Sequence, residues 1–225
     1  MNEKKWFSQN TKGVTMTITK IKRIASTNRF HVYADDEWCG IFLDEVLALY
    51  HFKTGMEIDE DEFKEIKLEN DEKVSFDMAA SYLEKYVVSE KGLKDYLKKK
   101  NFDNIVIAKT IDKLREYGFI DDEKFAKNYF ESLSTSKGKR AIANKLKSKG
   151  VSNEIVESLL ENVEEDDEIE KATALAEKFV KNRQIDAKIK QKCLAHLIYK
   201  GYDYSVAQKA TNNALQNKGE NDDWI

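Results

Sequence analysis

The sequence predicts a mainly α-helical fold: three tandem three-helix repeats in an elongated array, with a small N-terminal β-meander and helical extension. Three observations predict it. A helix stop, a capping residue and an apolar pair recur three times, with the stops at Asn101, Gly150 and Gly201, about fifty residues apart. The 225 residues include no proline, the residue that breaks helix interiors. Strand-like segments occur only before residue 44.

In chain order, residues 1–14 read as a flexible tail, with Met16 as an alternative start. Residues 15–72 form the N-terminal region. Met16–Ile24, Phe30–Tyr33 and Trp38–Leu43 read as three strands, joined by turns at Ser26-Thr27-Asn28 and Asp35-Asp36-Glu37. Asp44 is placed to cap a short helix carrying Val46, Leu47, Leu49 and Tyr50. Asp59 and Glu62 then have capping-box-like spacing ahead of Phe63 and Ile66. Met56 to Glu72 is strongly acidic and reads as a solvated helix face rather than a partner surface.

From about Phe76 the pattern is helical. The repeats span 73–120, 121–164 and 165–216, and a tail follows at 217–225. Before each stop, an apolar pair four residues apart marks one helix: Leu93/Leu97, Ile142/Leu146 and Cys193/Leu197. After each stop, Asp103, Ser152 and Asp203 are placed to cap the next helix. Glycine and asparagine suit the stops because both tolerate the left-handed backbone that ends a helix. Gly118 is a further such stop. Phe119 and Ile120 are expected to return the chain to the core, and Asp121 or Asp122 to cap the helix bearing Phe125, Ala126, Tyr129, Phe130 and Leu133. Phe125 and Phe130 are expected to be buried.

Charge marks one candidate surface, and the side-chain inventory offers no catalytic constellation. The net charge of −3 does not mark a nucleic-acid binder, but its distribution is uneven. Ser136 to Gly150 holds no acid and carries Lys137, Lys139, Arg140, Lys145, Lys147 and Lys149. Lys98 and Lys99 sit on the equivalent helix of the first repeat, and Lys188, Lys190, Lys192 and Lys200 on or beside that of the third. If the repeats stack in register, these helices form one basic stripe, which suits a polyanion or an acidic protein groove and equally a lysine-rich solvated surface. His31, His51 and His196 fall in no metal-ligand or charge-relay spacing. No glycine-rich phosphate loop is present. Asp121-Asp122 reads as helix capping rather than as paired catalytic carboxylates. Cys39 and Cys193 read as reduced, buried thiols. No catalytic residue, metal or cofactor is expected. No apolar run approaches the ~18 residues that span a bilayer, and residues 1–14 lack a signal-peptide core. The chain is therefore expected to be cytoplasmic, monomeric and without a membrane partner.

Gly118-Phe119-Ile120-Asp121-Asp122, then Phe125-Ala126, Lys137-Gly138 and Leu146-x-x-Lys149-Gly150-Val151, together resemble the RecX family of recombination regulators. The resemblance covers about Phe76 to Leu215, with a looser echo before it. It implies three three-helix repeats and no enzymatic activity. The implied partner is the RecA recombinase on its nucleoprotein filament, with single- or double-stranded DNA as a weaker ligand. It also implies modulation, usually inhibition, of recombination and the SOS response. The acidic overall balance favours the recombinase over naked DNA. Two other readings compete: a helix-turn-helix-like transcription regulator and a passive helical scaffold. The first needs a recognition helix rich in Arg, Asn or Gln, whereas the helices after the stops carry Asp112, Glu157 and Glu161.

Overall fold

A computed structural model describes residues 13–222, with side chains through residue 218. The tail expected at 1–14 thus lies mostly outside the described residues. Val14 is inside them, and its carbonyl accepts the Glu60 N–H at 2.8 Å. At the other end the expected tail at 217–225 is instead helical to Asp222, because the preceding helix simply continues. Residues 223–225 lie outside the described residues. The chain divides into two units. One runs to Lys85 and includes Leu97–Glu116; the other comprises Tyr86–Tyr96 and everything from Tyr117.

In the first unit, strands β1 (Thr15–Arg23), β2 (Arg29–Ala34), β3 (Glu37–Leu43) and β4 (Glu57–Asp59) form an antiparallel sheet in the order β3-β2-β1-β4. Three of these are the expected meander. β4 pairs Ile58 with Met16 and is too short to show a period in the sequence. Helix α1 (Asp44–Leu49) follows β3 directly. Asp44 is its first residue rather than its cap, since Leu43 is still in extended backbone there.

Helix α2 (Glu60–Leu83) is one continuous helix of 24 residues, so it crosses the expected boundary at 72/73. The Asp59 carboxylate opens it by accepting the Asp61 and Glu62 N–H groups. Glu60, Asp61 and Glu62 then face the positive end of the helix dipole. Much of the acidic stretch is therefore structural. Glu69 accepts the Tyr50 hydroxyl at 2.7 Å, buried Asp71 pairs with Lys67, and Glu72 pairs with Lys109. β3 is an edge strand, and Asn70 of α2 occupies its free groups: its side chain accepts Leu43 N–H at 2.9 Å and donates to Ile41 O at 2.7 Å. An unpaired sheet edge is an aggregation liability, and here one amide covers it.

The core of this unit joins Ile18, Val32, Phe42, Val46, Ile58, Phe63, Ile66 and Val74, with Phe102 packed against it. Helix α4 (Asn104–Glu116) lies on α2, where the buried Ser75 and Thr110 hydroxyls share a 2.6 Å hydrogen bond. Helix α3 (Glu90–Lys99) precedes it, and Asn101 between them has φ +63°.

The second unit holds α5 (Asp122–Ser134), α6 (Lys139–Ser148) and α7 (Asn153–Glu161). These are followed by α8 (Glu165–Val180), α9 (Ala187–Tyr199) and α10 (Tyr204–Asp222). The three-helix groups are thus the second half of α2 with α3–α4, then α5–α7, then α8–α10. Gly118, Gly150 and Gly201 have φ values of +71°, +87° and +95°. Phe125, Ala126, Ile142, Leu146, Val151 and Val156 form one core. The other is alanine-rich, with Ala172, Ala176, Ala207, Ala210 and Ala214 letting α8 and α10 approach closely around Leu197 and Tyr202.

Some expected positions differ. Phe119 is 54% exposed and Ile120 half-buried, so the turn before α5 does not return Phe119 to the core; its ring meets the edge of Tyr117 instead. Phe130 is half-buried at the rim of its cluster, while Phe125 is buried. Of the expected caps, Asp121, Asp103 and Ser152 accept N–H groups of the helices they precede. Asp122 and Asp203 are used differently, as described next.

Candidate interaction site

The acid-free segment forms α6 and its flanks, and its two ends have different roles. At its start, three successive N–H groups are satisfied by the third repeat. Gly138 N–H donates to Lys200 O at 3.0 Å, Lys139 N–H to Glu168 Oε1 at 3.1 Å and Arg140 N–H to Gly201 O at 3.2 Å. The start of α6 thus sits on the carbonyls that end α9, positive pole to negative pole. The same junction recurs one repeat earlier. Ser89 Oγ donates to Lys149 O at 2.7 Å, Glu90 N–H to Asp122 Oδ1 at 2.9 Å and Lys91 Nζ to Ser148 O at 2.9 Å. In both junctions one acid from the first helix of the next repeat takes the N–H of the first helical residue. Asp122 has that role in one and Glu168 in the other.

This junction changes the standing of two expected binding residues. Lys139 Nζ lies 3.1 Å from Glu168 Oε2, an ion pair without hydrogen-bond geometry, and 3.5 Å from Asp203 Oδ2. Arg140 Nε lies 3.5 Å from Asp203 Oδ1. Lys139 is therefore drawn into the repeat junction, while Arg140 stays exposed with Asp203 as a neighbouring acid. Asp203 is drawn into this pairing rather than into capping α10. Lys137 is half-buried.

At the other end of α6, Lys145, Lys147 and Lys149 are exposed. Lys145 and Lys149 line a cleft of about 490 Å³ with Lys91, Asp95, Phe125 and Tyr129. The Lys149 ammonium stands over the Tyr129 ring, 5.2 Å from its centroid, and Tyr129 stacks on Phe125 at 5.6 Å. The floor of the cleft is therefore aromatic and its rim cationic, with Asp95 as its one acid. Lys98 and Lys99 are exposed at the end of α3, in the first unit.

The second three-helix domain model of RecX matches residues 121–160, and the third matches 165–211. A regulatory protein RecX from Clostridium tetani is 32% identical over 213 residues, covering 91% of this chain and 99% of that protein. The chain belongs to the RecX family. A RecX regulatory protein of Listeria monocytogenes is 32% identical over 204 residues, covering 88% of this chain and 76% of its own length. A crystal structure of a regulatory protein RecX aligns over 88% of this chain and 99% of its own with a TM-score of 0.64 at 23% identity. That of RecX from Lactobacillus salivarius aligns over 64% of this chain with a TM-score of 0.60. These two likenesses bear on the fold alone.

RecX proteins are a regulatory family, and the features of this member suit binding. Among the described residues no group of three or more His, Cys, Asp or Glu side chains is placed to hold a metal ion. No described helix is long and apolar enough to cross a membrane. Cys39 is half-buried and Cys193 buried; burial raises both thiols, which disfavours the reactive thiolate. Burial also raises Asp122, opposed by the N–H bond from Glu90.

Lys91, Asp95 and Ser89 are the cleft and junction residues that charge counting passes over. The signal for them was the repeat itself, since Ser89-Glu90-Lys91 aligns with Gly138-Lys139-Arg140 once Leu97 is set on Leu146.

The electrostatics of the junction make alkaline stability a test of it. Burial and the negative charge of Glu168 push the Tyr202 phenol up to about 12. An unfolded tyrosine titrates near 10. Between these values the unfolded chain loses a proton that the folded chain keeps, so folding stability falls as pH rises. Lys139 acts in the same direction. Burial alone pulls its ammonium down, but Glu168 and Asp203 outweigh burial and hold it above the ordinary lysine value. Its contribution is complete below the unfolded lysine value and is lost as pH rises through the folded one. Stability should be flat near pH 7–9 and fall by about 2–3 kcal/mol from Tyr202 alone by pH ~12. Urea unfolding across this range measures the limb, and Tyr202→Phe should make it shallower. A limb of equal depth in that variant would remove Tyr202 from the account.

Proposed function

We propose that this chain regulates homologous recombination in the cytoplasm by binding the RecA recombinase on its DNA filament and inhibiting it. It acts by occupancy rather than turnover. Membership of a regulatory family supports the reading, and so does the sequence resemblance to recombination regulators. The structural observation that carries it is the exposure of Lys145, Lys147 and Lys149 at the end of α6, with Lys145 and Lys149 together on the cleft. These are the exposed cations of the acid-free segment that make no ion pair at the repeat junction. They suit an acidic protein groove or the phosphates within it. Lys137, Lys139 and Arg140 lie at the start of α6, where Lys139 and Arg140 are paired across the junction, and Lys98 and Lys99 offer a second basic contact.

The test is recombinase-driven strand exchange, or ATP hydrolysis on single-stranded DNA, with wild-type protein and a Lys145→Glu/Lys147→Glu/Lys149→Glu variant. Acids near a helix C-terminus oppose its dipole, so each change should cost about 0.3–1 kcal/mol and leave the fold intact. The variant should need at least ~10-fold more protein for the same inhibition, since reversing charge on a complementary surface costs more than about 1.4 kcal/mol. Its effect should also depend less on salt. A folded variant that inhibits as wild type does would move the contact off α6. A Lys98→Glu/Lys99→Glu variant would then test the second basic surface.

A further inference from the structure

The outward face of the N-terminal sheet has the composition of a base-stacking platform. Along β2, Val32 and Ala34 point into the core, so His31 and Tyr33 point outward. The strand register sets Lys20 opposite Tyr33, Lys22 opposite His31, and Tyr33 opposite Trp38. Three rings and two ammonium groups from three adjacent strands therefore share one surface. Trp38 is 47% exposed, Lys20 and Lys22 are exposed, and His31 and Tyr33 are half-exposed. The rings are also held in place. Trp38 Nε1 donates to His31 Nδ1 at 3.1 Å, and the Lys20 ammonium lies 5.5 Å from the Tyr33 ring centroid.

A solvated sheet face has no need of an exposed indole beside a tyrosine and an imidazole. Exposed and half-exposed rings beside two lysines fit unpaired bases, each of which has a π-face, and the phosphates that join them; a base on Tyr33 would displace the Lys20 ammonium from over the ring toward phosphate. A duplex keeps its base faces stacked inside and offers phosphates and groove edges but no face to stack on. The acids nearby are Asp35, Asp36 and Glu37, in and after the turn before Trp38, and Asp71, which is paired with Lys67. Asp35 is tied down, its carboxylate accepting the Thr17 N–H at 2.9 Å. These acids repel phosphate from the Trp38 end, so the phosphates should follow Lys20 and Lys22 on β1 while bases lie over Tyr33 and Trp38.

We infer that this face binds single-stranded nucleic acid by stacking bases on Tyr33 and Trp38 with its phosphates along Lys20 and Lys22. The site lies on a different unit from the exposed α6 lysines, and the inference does not rest on the recombinase reading.

Its test uses the full chain without recombinase. The sequence has three tryptophans, so replacing Trp6 and Trp224 by Phe leaves Trp38 as the only indole. The probes are a thymidine oligomer of about 20 nucleotides, a duplex of the same length, and a poly-glutamate peptide. The oligomer should quench Trp38 emission saturably, and the duplex and the peptide should not. Tyr33→Thr keeps a strand-favouring residue and removes the ring; it should weaken binding by roughly 5- to 150-fold, the range for a lost stack. Tyr33→Phe keeps the ring and should bind as the parent does. Lys20→Glu with Lys22→Glu should weaken binding and flatten its salt dependence. Three results would each overturn the inference: Trp38 emission unmoved by the oligomer, equal quenching by the peptide, or Tyr33→Thr binding as tightly as the parent. Equal quenching by the peptide would reassign the face to an acidic protein partner.

Discussion

Gly138→Ala should destabilise the chain by about 3–5 kcal/mol, far more than the same change at Gly118. The two glycines are there for different reasons. Gly138 has φ −76°, a conformation open to any residue, so backbone freedom is not its purpose. An added Cβ would fall within 2.5 Å of the Gly201 carbonyl and against the Tyr202 nitrogen. Those atoms are backbone and cannot rotate away. Overpacking of this kind costs about 1–3 kcal/mol or more. The displaced α6 would also weaken the Gly138 and Arg140 hydrogen bonds to α9, at about 1 kcal/mol each. At Gly118 a Cβ meets nothing within 4 Å, and the only cost is that of a left-handed backbone, about 1–2 kcal/mol. Urea unfolding of the two variants separates the cases. Equal midpoints would mean that the second and third repeats do not close on Gly138. Amide exchange should also show Gly201 and Tyr202 losing protection in Gly138→Ala before the Phe125 core does.

Gly138 also marks the limit of what the sequence shows. Left-handed stops are written locally, since Asn101, Gly118, Gly150 and Gly201 each sit after an apolar helix and before a capping residue. Their positive φ values follow from residue type. The apolar pairs Ile142/Leu146 and Cys193/Leu197 are equally local and are fully buried. A glycine kept for a close approach by a backbone more than sixty residues away has no local signature. The same holds for Asp122 and Asp203. Both stand where a capping acid belongs, and each is claimed by a donor from another helix. Lys139 and Arg140 looked free because their neighbours in sequence hold no acid; their partners, Glu168 and Asp203, come from the next repeat. The cationic site read from the sequence was therefore larger than the one the folded chain leaves without junction ion pairs. The aromatic floor under Lys149 was read only as core, through Phe125 and Tyr129.

Glu168→Ala should cost about 3–5 kcal/mol, and Lys139→Glu at least as much. Glu168 is buried, and its two oxygens serve the Lys139 N–H and the Lys139 ammonium. Alanine removes both at once. It leaves the first helical N–H of α6 without its acceptor and a largely covered ammonium with only Asp203, at 3.5 Å. Breaking a buried pair from one side is costly because the remaining charge stays desolvated. Glu168→Gln keeps an oxygen for the N–H and gives up the charge, so it should recover about half of the loss. Lys139→Glu instead places a third carboxylate beside Glu168 and Asp203, where like charges add to desolvation. Thermal unfolding of the three variants tests this order. Equal melting of Glu168→Ala and Glu168→Gln would assign the whole effect to charge and none to the backbone acceptor. The order also decides how the binding surface must be probed. A charge reversal at Lys139 opens the junction between the second and third repeats, so any loss of regulation it causes reports unfolding as readily as a lost contact. Lys145, Lys147 and Lys149 carry no junction ion pair and give a reversal that the fold can survive. They are the residues on which the proposed filament contact stands or falls.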